Sequence, residues 1–228
     1  MTELAAAPTA PVRRTALAGL LASLAAIVMI GAMDVWTLGA DPAPWNRTIS
    51  QYALWPKMQV VFLFGVALLA AGSLAVARAV VHRGLARWRS APVIALILWS
   101  AGLFMVVVFE KHDWAVGPSW HGYLHNLGSL MAFIALPIAA IRLGRAWRGD
   151  AEWGAWASRT RAVGWLSYAL FALVPVAIGI AAATGANWWE VLPLGLVERL
   201  FTLAEVVAVV MIGLWASSSR SRPAPVRA

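Results

Sequence analysis

Two histidines four residues apart, His121 and His125, are the side chains of this chain best placed by type and spacing to do chemistry. On a helix that spacing puts them on one face, about 5–6 Å apart. Such a pair suits two metal ligands, a proton relay or two hydrogen-bond anchors. Ser129 continues the face one turn deeper, and Asp113, eight residues upstream, could add a third ligand or orient an imidazole. His121, His125 and Asp113 are therefore the candidate ligands of a divalent metal. The chain has no cysteine, which removes thiolate nucleophiles, Cys-ligated metals and disulfides. No haem is expected, because axial ligation across a bundle needs histidines on facing helices and the other two, His112 and His82, do not offer that.

A second group lies near the C-terminal end. Glu198, Thr202 and Glu205 follow the i, i+4, i+7 rule of one helix face, with Arg199 beside the first. Arg199 suits either an anionic headgroup or an acidic partner, and Asp34 could pair with it or with His121. Glu205 is about nine residues into its apolar segment. A carboxyl there is either functional or protonated and hydrogen-bonded between helices. Ser50 and Gln51 sit in a third polar stretch, Asp41–Pro56, and are candidate substrate-binding groups together with Glu198 and Arg199. His121, His125, Asp113 and Glu205 are the candidate acid–base groups.

The elements that must position these residues are six apolar segments, roughly 15–36, 58–80, 91–109, 121–141, 162–184 and 197–216. Each is about twenty residues long, enough to cross a hydrocarbon core of ~30 Å at ~1.5 Å per residue. Hydrophobic residues make up 61% of the chain and charged ones only 12%, which excludes a water-soluble domain of this length. The runs are continuous, without the alternation of a barrel strand, so the expected fold is an all-α bundle of six transmembrane helices. Pro137 and Pro175 should bend the fourth and fifth spans. Gly19, Gly31, Gly65, Gly72, Gly102, Gly128 and Gly179 permit close helix contact.

Fourteen of the eighteen basic residues precede the first segment, follow the last, or lie at or between the facing ends of the second and third or of the fourth and fifth. Only Arg47, Lys57, Lys111 and Arg199 are on the other side. Basic residues accumulate on the cytoplasmic face, so both termini are expected inside and all three polar stretches outside, in a bacterial-type cytoplasmic membrane. The net charge of +8 is thereby a topology signal and an attraction to anionic lipid, not a nucleic-acid footprint. Cysteines introduced singly at Ser119 and Ser90 test this: an impermeant reagent on intact cells should label the first and spare the second. The reverse pattern would turn the whole site to the inside. Most of the fourteen tryptophans fall near segment ends and read as interfacial belts, with Trp36, Trp45, Trp55, Trp114, Trp120, Trp188 and Trp189 outside. Trp88, Trp147, Trp153, Trp156, Trp165 and Trp215 fall inside. Residues 1–14 read as a disordered tail, 15–216 as the membrane domain and 217–228 as a flexible basic tail. The first segment exceeds a signal h-region and lacks a good cleavage site, so it stays.

The order Ile49-Ser50-Gln51, Asp113 after the third segment, His121-Gly122 with His125 opening the fourth, and Gly195 with Glu198-Arg199 at the start of the sixth resembles the prokaryotic membrane family catalogued as domain of unknown function, number 998. The resemblance covers residues 15–216 and implies six spans with a polar site at the outer ends. This chain has Gln51 where the family commonly has Glu, which removes a carboxylate from that position. The family's activity is unassigned, so the resemblance strengthens fold and site more than function.

Two classes of function fit these residues. One is a membrane-embedded enzyme or binder acting on a lipid, isoprenoid or other hydrophobic small molecule at an outward-facing polar pocket. The other is a non-enzymatic carrier or complex subunit whose polar residues are structural. No complete catalytic signature such as His-Glu-x-x-His or Gly-x-Ser-x-Gly is present. The partners that composition implies are membrane lipids, with no nucleic acid among them.

Overall fold

The computed structural model describes residues 9–39, 43–113, 115–187 and 191–218. Asp41, Trp114, Trp188, Trp189, Glu190 and the outer parts of both tails lie outside the described residues. Among the described residues seven α-helices form: α1 (Ala10–Trp36), α2 (Pro56–His82), α3 (Ala91–Val108), α4 (Trp120–Trp147), α5 (Gly154–Phe171), α6 (Leu173–Thr184) and α7 (Leu194–Ser217). Six helical stretches are long and apolar enough to cross a membrane, with α5 and α6 together making the fifth. The chain is a multi-pass helical membrane protein.

Proline chemistry explains the split. Pro175 has no N–H to give to the carbonyl of Phe171 and its ring crowds that carbonyl, so α5 ends at Phe171. Pro137 sits within α4 without ending it. Short turns join α1 to α2 at Pro44–Asn46 and Ile49–Leu54.

Around the bundle, α1 packs on α2, α2 on α3, α3 on α4, α4 on α5, and α7 closes the ring against both α5 and α1. α6 leans mainly on α5. Small residues set the closest crossings. A Cβ on Gly19 would stand 2.5 Å from the Gly72 carbonyl, and one on Gly102 would stand 2.4 Å from the Gly128 carbonyl. Lipid gives helices no hydrophobic reason to associate, so such backbone-to-backbone approach supplies the packing. Gly31 and Gly179 have no neighbour at that distance and play no such part, and Gly65 makes only ordinary contact with Met29.

Two tryptophans expected in the inner belt are core residues instead. Trp153 and Trp215 are 1% and 0% exposed, their rings 5.8 Å apart, with Trp147 6.0 Å from Trp153. The segment before α5 folds back because Asp150 accepts the backbone N–H groups of Glu152 and Trp153, which tucks the Trp153 indole under the bundle. The Arg83 guanidinium covers that ring at 5.1 Å.

Candidate functional site

At the end of the bundle where α1 stops and α7 begins, Arg199 bonds Asp34 through both arms of its fork, Nε to Oδ2 at 2.9 Å and Nη2 to Oδ1 at 2.6 Å. Asp34 thus takes Arg199, not His121, as its partner. The remaining arm, Nη1, donates to the carbonyls of Arg47 at 2.8 Å and Gly195 at 3.0 Å. Tyr52 donates its hydroxyl to Asp34 Oδ1 at 2.7 Å, accepts from Arg47 Nη2 at 3.2 Å and has Thr37 Oγ1 at 2.9 Å. Arg47, 1% exposed, also lies 4.4 Å over the Trp55 ring. One network therefore joins α1, the 44–54 loop and α7. Bidentate pairing of this kind fixes geometry as well as charge.

The loop docks on bare backbone. A Cβ at Gly195 would lie 2.2 Å from the Arg47 carbonyl and 2.5 Å from that of Pro44, and neither is a flexible side chain. Gly195→Ala should therefore lower stability by about 1–3 kcal/mol, the usual cost of overpacking. Thermal unfolding in detergent reads this, and an unchanged midpoint would show that the loop is not held there.

Below the network is a cavity of about 320 Å³, lined by residues of α1, α2, α3, α4, α7 and the loop. Its walls are apolar, from Ile27 and Ile30 through Phe62, Val66 and Leu103 to Phe133 and Val206. Asp34, Ser50, Glu198 and Arg199 give it one polar end, and Ser129 and Thr202 are its other polar side chains. Gly31 of α1 and Leu203 of α7 line it and are also exposed, which opens it between those two helices.

Two further ties hold the polar end. Glu198 Oε2 accepts the Ile49 N–H at 2.8 Å. Lys111, in the α3–α4 loop, donates Nζ to Ser50 Oγ at 2.8 Å and to Thr48 Oγ1. Desolvation pushes the Lys111 ammonium below its usual range, against the opposing pull of Glu198.

Of the residues singled out from sequence, Ser50, Glu198 and Arg199 meet at this cavity. The histidines and Asp113 do not join them. His121 and Asp113 are exposed, and the Asp113 carboxylate accepts the Ala115 N–H in a tight turn closed by Gly117 N–H at 2.8 Å from the Asp113 carbonyl. His125 is 1% exposed, its Nδ1 2.9 Å from the Phe109 carbonyl, which pins the end of α3 to α4. Ser129 bonds the His125 carbonyl. Among the described residues, no three of His, Cys, Asp or Glu are gathered as a metal site would need. Gln51 has a buried side-chain oxygen without a partner among the described residues and lies off the cavity wall.

Glu205 is 2% exposed, and its Oε1 has no hydrogen-bond partner among the described residues. The Trp99 indole stands beside the carboxyl, but without a bond of good geometry. The cavity face of α7 carries Glu198, Arg199, Thr202, Leu203 and Val206. At about 100° per residue, Glu205 falls roughly a quarter turn from the centre of that face. Glu205 itself is not among the residues that line the cavity.

Sequence reasoning passed over Lys111, Tyr52, Thr48 and Arg47 as site residues. His112 was passed over too; it accepts the Ser119 N–H at 2.8 Å and packs its ring on Gly122.

The chain belongs to the family described as a protein of unknown function, DUF998, whose model matches residues 17–215. No curated protein and no solved structure matches it.

Proposed function

We propose that this member of the DUF998 family holds an amphiphile of the surrounding bilayer, with its apolar chain in the cavity and its polar head at Ser50, Glu198 and Arg199. The observation that carries this reading is the cavity itself, apolar along its walls, polar at one end and open between α1 and α7. Its volume falls in the range of about 300–1,000 Å³ typical of small-molecule sites. A lateral opening admits a lipid chain without taking it through water. The charge split along the chain supports a cytoplasmic membrane with the polar end of the cavity on the outside.

The headgroup follows from the bonds already made. Arg199 is bound at both arms by Asp34 and by two carbonyls, so it has little left to clamp a phosphate. With Asp34 and Glu198 also lining that end, a neutral head rich in hydroxyl or ester oxygens fits better than an anionic one. The Arg199–Asp34–Tyr52 network supports the structural half of the alternative reading, in which polar residues tie loop to helix. The cavity beneath is what that alternative leaves without a use.

Mass spectrometry of lipids extracted from protein purified in mild detergent tests the proposal. The wild type should carry an amphiphile in near-stoichiometric amount, and Thr202→Phe, which fills the cavity from α7, should lose most of it while keeping its fold. Equal retention by both proteins, or none by the wild type, would overturn it.

A further inference from the structure

Ser50 lines the polar end of the cavity, and its hydroxyl is 2.8 Å from the Lys111 amine, which a second hydroxyl, Thr48 Oγ1, also holds. We propose that Ser50 and Lys111 form a serine–lysine dyad that cleaves a carboxylic ester of the amphiphile in the cavity, with Ser50 as nucleophile and Lys111 as its base. The inference rests on the cavity reading above and adds the substrate class.

A serine hydroxyl is a weak nucleophile unless a base stands within hydrogen-bond reach and a third group orients that base. The three positions are filled here by Ser50, Lys111 and Thr48. A lysine serves as a base only when neutral, so it must be kept from a carboxylate. Of the two carboxylates that line the cavity, Asp34 is ion-paired to Arg199, and Glu198 forms no ion pair with Lys111 although its charge favours the ammonium. Asp34 also accepts from Tyr52, and Glu198 accepts the Ile49 N–H. Among the described residues Lys111 forms no ion pair, and it donates to the hydroxyls of Thr48 and Ser50. Burial desolvates the ammonium and favours the neutral form, outweighing the opposing charge of Glu198. A lysine that merely tethered two loops would gain more from a carboxylate than from two hydroxyls.

The local sequence builds this arrangement. Thr48 and Ser50 flank Ile49, whose side chain is buried and whose N–H is fixed by Glu198. That anchor places both hydroxyls toward Lys111, three residues beyond the end of α3. The chemistry balances with water as co-reactant. Ser50 Oγ bonds the ester carbonyl carbon while Lys111 Nζ takes its proton. Collapse breaks the bond to the alcohol oxygen, which receives that proton. Water, deprotonated by Lys111, then releases the acyl group from Ser50 as a carboxylic acid and restores the serine.

A tagged long-chain alkyl fluorophosphonate, which phosphonylates an activated serine with loss of fluoride, tests the dyad on the full chain in detergent. The wild type should be labelled at Ser50, located by peptide mass, and Ser50→Ala should not. Lys111→Met should slow labelling by about 10²-fold or more, the usual worth of a general base. Lys111→Arg keeps donors for Thr48 and Ser50 but supplies no base, so it should be as slow as Lys111→Met while unfolding at the wild-type temperature. Co-purifying amphiphile is measured on the same samples. Wild type that retains amphiphile yet labels no more than Ser50→Ala overturns the dyad and leaves the cavity reading intact. Labelling in Lys111→Arg at the wild-type rate overturns it equally. Wild type without amphiphile overturns the cavity reading, and a short-chain fluorophosphonate then reads the dyad alone by the same comparison of variants.

Discussion

Arg199→Met is expected to destabilise the protein by about 3–5 kcal/mol, the characteristic cost of removing one partner from a shielded ion pair. Among the described residues the substitution leaves Asp34 with the Tyr52 hydroxyl alone, and leaves the carbonyls of Arg47 and Gly195 without the donor that joins them. Arg199→Lys should recover only part of the loss, because an ammonium cannot reproduce the two-armed fit to Asp34. Asp34→Leu should be costly alone and much less costly on the Arg199→Met background, since no charge is then left unpaired. Unfolding of the four proteins in one detergent gives the coupling energy directly. A single-variant loss below about 1 kcal/mol with no coupling, the value of an exposed pair, would show that water replaces the network.

Most of the fold was legible in the sequence because lipid imposes it: every backbone polar group in a bilayer must be satisfied within a helix, so each span is a continuous apolar run. The pairing of polar residues across helices was not. In water, a helix shows its buried face as an apolar stripe, but here both the lipid-facing and the inward-facing sides are built of Ala, Leu and Val. His121 and His125 share a face by spacing, yet the first is exposed at the start of α4 and the second is buried against α3. Nothing in α4 alone distinguishes those depths. The Glu198–Thr202–Glu205 row shows the same limit: its three members share one side of α7, but the deepest stands beside Trp99 and does not line the cavity.

A usable signal was nevertheless present. Four basic residues break the charge asymmetry of the chain, and three of them, Arg47, Lys111 and Arg199, are tied into the site by hydrogen bonds, while Lys57 alone is exposed. A cation on the disfavoured side of a membrane protein carries no topological benefit, so its presence there calls for a local partner. The exceptions to the charge rule mark this site better than the histidines do.

Glu205→Leu should move stability the other way, raising it by about 1–3 kcal/mol. That is the usual penalty of a buried polar atom without a partner, which the substitution removes. The carboxyl is almost wholly enclosed and Oε1 is unbonded. Near the bilayer midplane, a carboxylate costs roughly 2.5–3.5 kcal/mol even on the lenient insertion scale. Leucine fills similar space without either burden. Glu205→Gln keeps the polar atoms and should change stability little, and because the residue lies off the cavity wall it should leave the co-purifying amphiphile unchanged. The pair of variants separates architecture from function. A stabilised Leu variant with full ligand retention means that the carboxyl is kept against the interest of folding for something other than holding the ligand. If stability falls with Leu but not with Gln, an internal partner such as a bound water already satisfies Oε1. Loss of amphiphile from a stable Glu205→Gln protein would extend the cavity down to Trp99, and Glu205 would then belong to the binding site.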